Sequence, residues 1–270
     1  MVGLTETPLR PIDSSSGPIA IFPKEAFPLR ARRLFPFLLA AALLLPAISL
    51  AAGESCTCGD FRYVILEDGS ACLVQYLGNA AEVFIPAELD GRPVTAVRGN
   101  PFVSMYDFSY HVKDCAVAVA ADHPYLEMVN GVLFGRTDHR LIWVPRALGL
   151  ETYDVPDGVE IIGRHAFYAC KALTAVRLPE SVTVIENHAF RACQGLAAVN
   201  LPEGVTSVGE CAFMGCRSLE SLALPASLAG IGWKAFDACP ALTLTVAPGS
   251  FAHRYCGENG LAFVVAEEEP

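Results

Sequence analysis

Three side chains suited to zinc, His165, His188 and Cys211, follow one another at intervals of 23 residues. If each interval is one turn of a repeating structure, they project in a row and together could hold a metal. The fourth position in the row is Lys234, which breaks it. The slot stands directly before an Ala-Phe pair in every unit and is expected on the outside of the turn, where many residue types are tolerated. No metal is therefore assigned.

The ten cysteines raise a second possibility, disulfides. Cys170, Cys193, Cys216 and Cys239 keep the same 23-residue step. Neighbouring turns would set their Cα atoms roughly 5 Å apart, within bridging range, but with parallel Cβ vectors that disfavour a bond. They are expected to be free, buried thiols. Cys56, Cys58 and Cys72 lie outside the series and are the better bridge candidates. A Cys-x-Cys pair with no second pair nearby is not a zinc site.

Acid–base chemistry has less to stand on. His111, His123 and His139 lie near Asp107, Asp114, Asp122 and Asp138, as expected in a loop-rich section. The sequence contains no nucleophile elbow, phosphate loop or helical His-Glu-x-x-His. No catalytic residue and no cofactor is assigned.

The elements that must position these residues come from the repeat itself. Pro156, Pro179, Pro202 and Pro225 recur every 23 residues, as do Ala166-Phe167, Ala189-Phe190, Ala212-Phe213 and Ala235-Phe236, and Leu173, Leu196, Leu219 and Leu242. A period of this length with a Leu-x-x-Val-x-Leu run in each unit reads as a leucine-rich-repeat solenoid. Each strand is too short to bury its apolar side alone and depends on the next coil. Proline ends the strand, because it has no amide donor and a fixed φ. A second β-branched run, such as Val182-Thr-Val-Ile185, leads to the Ala-Phe turn, and four stacked phenyl rings are expected inside. In the last coil Leu244 and Val246 take the inward phase, where the earlier coils predict 245 and 247.

The repeat Leu-x-x-Val-x-Leu-Pro-x-x-Val-x-x-Ile-x-x-x-Ala-Phe-x-x-Cys-x-x-Leu resembles the BspA-like leucine-rich repeats (the LRR_5 type) of bacterial and protist surface proteins. Asn130-Gly-Val-Leu-Phe134 and Leu141-Ile-Trp-Val-Pro145 are similar to that family's less regular coils, and Ala247 to Tyr255 to its closing segment. The resemblance extends over roughly residues 58 to 265. It implies an α/β repeat solenoid, a right-handed superhelix mostly of short β-strands with short helical turns. It also implies a non-enzymatic secreted or cell-surface protein that binds or adheres to other proteins, of a host, a microbial surface or matrix. A spacer without a ligand is the alternative, and a metal-binding or hydrolytic protein a minor one.

Along the chain, residues 1–52 read as a signal peptide. Arg10, Lys24, Arg30, Arg32 and Arg33 precede a run from Leu34 to Ala52 without a charge, ending in small residues. An uncleaved signal anchor is the alternative, since the run nearly suffices to span ~30 Å. Glu54 before Cys56 disfavours a lipoprotein. Residues 53–135 are expected to form an amino-terminal cap and irregular repeats, including a hairpin around Glu67 to Ser70. Regular repeats occupy 136–247, and 248–270 form a cap with a short helix near 252–257 and an acidic tail. The array should have seven or eight coils and stand alone as a monomer. The whole chain carries −10; without the leader's five basic and three acidic residues it carries about −12. Such a charge repels nucleic acid and anionic lipid. Membrane contact would come only through an uncleaved amino-terminal segment.

Candidate ligand contacts follow from exposure. Outward strand positions include Thr174, Ala175, Ala197, Ala198, Glu220 and Ser221, which are small and varied, with Arg177 and Asn200 among them. The irregular region from Val103 to Tyr125, with Phe102, Tyr106, Phe108, Tyr110 and His111, is a richer candidate, unless those aromatics form local core.

Overall fold

The computed structural model describes residues 55–106 and 109–267, with the side chains of 105–110 outside the description. The leader expected at 1–52 also lies outside it. The amino-terminal section opens with β1 (Ser55–Cys58), β2 (Phe61–Ile65) and β3 (Ala71–Tyr76), an antiparallel meander. The expected turn closes it: Leu66 and Ser70 bond through their main chains, Asp68 accepts from Ser70, and Gly69 takes a φ of 81°. Next come β4 (Glu82–Ile85), β5 (Glu88–Leu89) and β6 (Arg92–Val97), the last lying parallel to β3.

Residues 103–113, where the sequence pattern lapses, are not irregular. They form an antiparallel hairpin of β7 (Val103–Tyr106) and β8 (Ser109–Val112). The section closes with β9 (Ala116–Val119), parallel to β4, and with β10 (Leu126–Val129), β11 (Val132–Gly135) and β12 (Arg140–Trp143). Asn130-Gly131 makes the β10–β11 turn with φ of 50° and 80°, the pairing of residues such a two-residue turn selects.

The array then alternates two kinds of short strand. On one side are β13 (Thr152–Asp154), β15 (Ala175–Arg177) and β17 (Ala198–Val199); on the other are β14 (Ile161–Ile162), β16 (Val184–Ile185) and β18 (Ser207–Val208). The last turns add β19 (Ser221–Leu224), β20 (Gly230–Ile231), β21 (Thr243–Val246), helix α1 (Phe251–Asn259) and β22 (Phe263–Val265). Parallel pairing joins β12, β14, β16, β18 and β20 into one sheet continuous with the β10–β12 hairpins. The register advances by one repeat per strand, with Ile161 beside Val184 and Val184 beside Ser207. The slip is real: Leu222 pairs with Leu244 and Leu224 with Val246, so the last coil is one residue short. Ser250 caps α1, its hydroxyl accepting from the His253 amide at 3.1 Å.

A third ladder runs through the Ala-Phe segments, which are hydrogen-bonded turns rather than the short helices expected. Phe167 donates to Ala189, Phe190 to Ala212 and Phe213 to Ala235, each at 2.8 Å to the next coil, while alternate amides such as Cys193 to Phe190 bond locally. Switching between local and inter-coil bonds requires left-handed residues. His188 and Ala192 have φ of 61° and 62°, and the same two slots in the next coil hold Cys211 at 52° and Gly215 at 80°. Only Gly215 adopts this freely.

The interior is two cores, not the single continuous one the repeat suggests. Leu133, Ile142 and Trp143 belong to the amino-terminal cluster, whereas Val132, Phe134 and Leu141 belong to the array's. Strands β11 and β12 are buried on both faces and divide them. Inside the array the four rings stack as expected: Phe167, Phe190, Phe213 and Phe236 follow at centroid distances of 4.8, 5.0 and 5.8 Å, with interplanar angles of 11°, 6° and 14°.

Removing the fully buried ring in Phe190→Ala should cost roughly 3–5 kcal/mol in urea melts, and Phe236→Ala, at the ladder's end, clearly less. Gly215→Ala should lose roughly 1 kcal/mol and Ala192→Gly lose none, since the left-handed slot penalises a Cβ. The reverse order in paired urea melts would contradict the turn conformation described.

Candidate ligand-binding face

The strand side of the array, from β13 to β22, is one face, but it is not one sheet. β13, β15 and β17 pair together, β19, β21 and β22 pair together, and no ladder joins β17 to β19. Asn200 stands at the break. Its side-chain amide accepts from the Leu178 main-chain amide at 2.8 Å and donates to the Leu178 carbonyl at 2.9 Å, imitating a strand edge. Beside it lies an open groove of about 790 Å³. Ala197 and Ala198 leave room at its base, while Arg177, Glu180, Asn200 and Ser221 supply polar walls.

Two of the residues expected to contact a ligand, Arg177 and Asn200, thus meet at one groove. Arg177 is exposed and reaches Asp154 at 3.5 Å, a contact too solvated to fix it. Asn200 is exposed too, yet its amide is engaged with Leu178. Tyr106 and Tyr110 belong to the β7–β8 hairpin with their side chains outside the description, and Phe108 lies outside the described residues. His111, in β8, is exposed. Sequence reasoning passed over Asp157 and Glu180. Both are exposed on the groove, and they are equivalent residues of successive coils, one step past the corner proline. Their constant position after Pro156 and Pro179 was the available signal.

The His165, His188 and Cys211 slot is not on the exterior, as expected, but buried, at 6%, 6% and 3% exposure. Its backbone is left-handed in every coil, and in the three inner coils the side chain packs inward. Histidine is enriched in that conformation, and this preference was the signal missed. The His165 and His188 rings stack at 4.8 Å and 5°. Face-to-face rings do not converge their nitrogens on one point, and among the described residues no group of three or more ligands suits a metal. Lys234 ends the row exposed, 3.7 Å from Asp237 and 4.6 Å above the Trp233 ring.

The cysteine series is buried and unbridged, except that Cys239 is only half-buried. Its thiols are more than apolar filler, because each reaches the preceding coil. Cys193 donates to the Phe167 carbonyl at 2.9 Å and Cys216 to Phe190 at 3.2 Å. Burial pushes the Cys170 thiol up to about 12, which holds it protonated as a donor. Of the expected bridge candidates, Cys58 and Cys72 are unbridged thiols. In the register Cys56 stands opposite Tyr63 and Cys72 opposite Val64.

The family model for the BspA type leucine rich repeat region matches residues 146–255, in six copies. The array is thus built of BspA-like leucine-rich repeats. Solved structures agree with it in fold. The pneumococcal vaccine antigen PcpA is 22% identical with a TM-score of 0.51, over 69% of this chain and 43% of its own. A leucine rich cell surface protein from Faecalibacterium prausnitzii A2-165 is 15% identical with a TM-score of 0.50, over 80% of this chain and 96% of its own. A leucine-rich repeat protein from Eubacterium ventriosum ATCC 27560 is 19% identical with a TM-score of 0.50, over 64% of this chain and 44% of its own. The BspA-like chain therefore spans less than half of the PcpA structure. No curated protein matches it.

The buried histidines give the BspA-like array a pH dependence. Burial, then the neighbouring His188 and nearby arginines, holds His165 down to about 2, and burial with Arg191 and Arg164 holds His188 down to about 4. In the unfolded chain both protonate near the ordinary 6.5. Their contribution is complete above that value and falls as pH drops below it, levelling near 4 for His188 and near 2 for His165. Within its window each histidine adds a slope of up to ~1.4 kcal/mol per pH unit. Thermal melts between pH 7 and 4 should therefore show a falling Tm. In His188→Asn, whose new side chain also accepts the left-handed slot, the fall should be shallower. Equal slopes in the two proteins would place the effect elsewhere.

Proposed function

We propose that this BspA-like chain is an exported, non-enzymatic scaffold that binds another protein along the strand face of its array. The observation that carries the reading is the groove at the break between β17 and β19, where Arg177, Glu180 and Asn200 meet on a framework stiffened by three ladders. A rigid surface loses little conformational freedom on binding, so modest contacts suffice. The named neighbours include a vaccine antigen and a cell surface protein, which favours an extracytoplasmic place for this chain as well. The leader at 1–52 supports the same place. Among the described residues no helix is long and apolar enough to cross a membrane.

The partner is a surface or matrix protein, of a host or another microbe, and adhesion is the role that follows. Groove carboxylates Asp157 and Glu180 would favour a basic segment on that partner, and association would weaken with salt.

The test is a binding screen of the full chain against an array of purified surface and matrix proteins, alongside Arg177→Glu and Glu180→Lys. A partner held by the wild type and weakened about tenfold or more by either folded variant supports the assignment. Equal binding by all three would move the site off this groove, and no partner at all would favour the spacer. Protease treatment of intact cells checks location: a chain protected until the cells are lysed would contradict export.

A further inference from the structure

Seven of the ten cysteines are buried, and Cys239 bonds to the Phe213 carbonyl at 3.1 Å. Cys56 and Cys58 are different. They lie on β1, which among the described residues is the outermost strand of its sheet and pairs with β2 alone. Two residues apart on a strand, they leave the same face, and both are half-buried against the amino-terminal core.

A carboxylate organises the surroundings. The Tyr63 hydroxyl donates to Asp90 at 2.7 Å, the Cys58 thiol lies beside Asp90, and Cys56 stands opposite Tyr63 in the register. Asp90 and Gly91 form the turn between β5 and β6, both with positive φ, which fixes the carboxylate in place. The hydrogen bonds from Tyr63 and Cys58 hold Asp90 below the usual carboxylate range, so it is ionised at neutral pH. Thiol, carboxylate, phenol and thiol form one chain of contacts.

Strand geometry sets the character of a bond between the two sulfurs. Two residues of strand separate Cα atoms by about 6.6 Å, at the long end of what a disulfide spans. Such a bridge is strained, and strained bridges are the ones that open and close by exchange. Among the described residues β1 has one neighbour only, so it can twist to bring the two parallel Cβ vectors together without disturbing the array.

We propose that Cys56 and Cys58 are a thiol–disulfide exchange pair acting on protein or small-molecule disulfides. The Cys58 sulfur attacks one sulfur of the incoming disulfide while its proton passes to Asp90. That S–S bond breaks, and the first departing thiolate takes the proton from Asp90. Cys56 then attacks the Cys58 sulfur of the mixed disulfide, and its proton leaves with the second departing thiol. The incoming disulfide gains two electrons and becomes two thiols, and Cys56 and Cys58 lose two and become one disulfide. Tyr63 is a positioning residue, holding Asp90 and Cys56 in line.

The full chain is incubated with oxidised glutathione, quenched with acid, alkylated and digested, and the β1 peptide is weighed. The wild type should show Cys56 and Cys58 bridged to each other, without bound glutathione. Cys56→Ser should hold glutathione on Cys58, because the second attack is missing, and Cys58→Ser should leave Cys56 mostly unmodified. Asp90→Asn should slow bridging several-fold. Cys56 and Cys58 recovered as thiols under conditions that trap glutathione in Cys56→Ser would overturn the pairing, as would either sulfur found bridged to Cys72 or to a second chain. No glutathione on Cys58 in Cys56→Ser would overturn the attack itself.

Discussion

Every coil of this protein is held by main-chain bonds to the coil beside it, and the ladder through the Ala-Phe turns makes the strictest demand. There the amide of Phe167, Phe190 or Phe213 reaches the next coil, and the residues on either side must turn through left-handed conformations to allow it. Much else follows from that geometry. The turn directs the phenyl rings into a stack, rotates the preceding slot inward, and brings each cysteine within reach of a carbonyl one coil back. The cost of left-handed backbone at alanine and histidine is offset by burial and by three ladders that reinforce one another.

The array was largely legible in the sequence, for a physical reason. A unit that stacks on its own copy must repeat the same inward residues, so Leu173, Val176 and Leu178 announce the strand and Phe167 the core at every step. Even the shortened last coil could be read, because Leu244 and Val246 have no other way to face inward. The inward turn of His165 and His188 was not legible. Polar residues before a turn usually face water, and only backbone conformation reveals that these do not. The sulfur-to-carbonyl bonds were invisible too, since a small thiol and a small apolar group leave the same trace in a repeat. In the amino-terminal section each strand pairs differently, so no residue type recurs to mark a register, and the hairpin at 103–112 passed for loop.

The candidate site divides along the same line. Arg177 and Asn200 were found because they occupy outward strand positions, but the groove that joins them was not, since it depends on a missing ladder between two strands of ordinary composition. Asn200 shows the limit of reading side chains singly. Its amide serves the fold by completing the edge at Leu178, and so leaves Arg177 and Glu180 as the groove's freer polar groups. Asn200 thus belongs to the coil after that of Arg177 and Glu180, so the residue that serves the fold and the two left free for a ligand do not compete.

The one-residue deficit between β19 and β21 bears on how such a chain can change its length over evolutionary time. Upstream of it, each unit meets neighbours in the same register, so a gene duplication or loss of one whole unit would leave every remaining coil with a matching surface above and below. Downstream, the phase has shifted, and a copied regular unit would present its apolar residues to the wrong side. The short coil therefore works as a stop in the grammar of the array: growth by whole units is confined to the side facing the amino-terminal section.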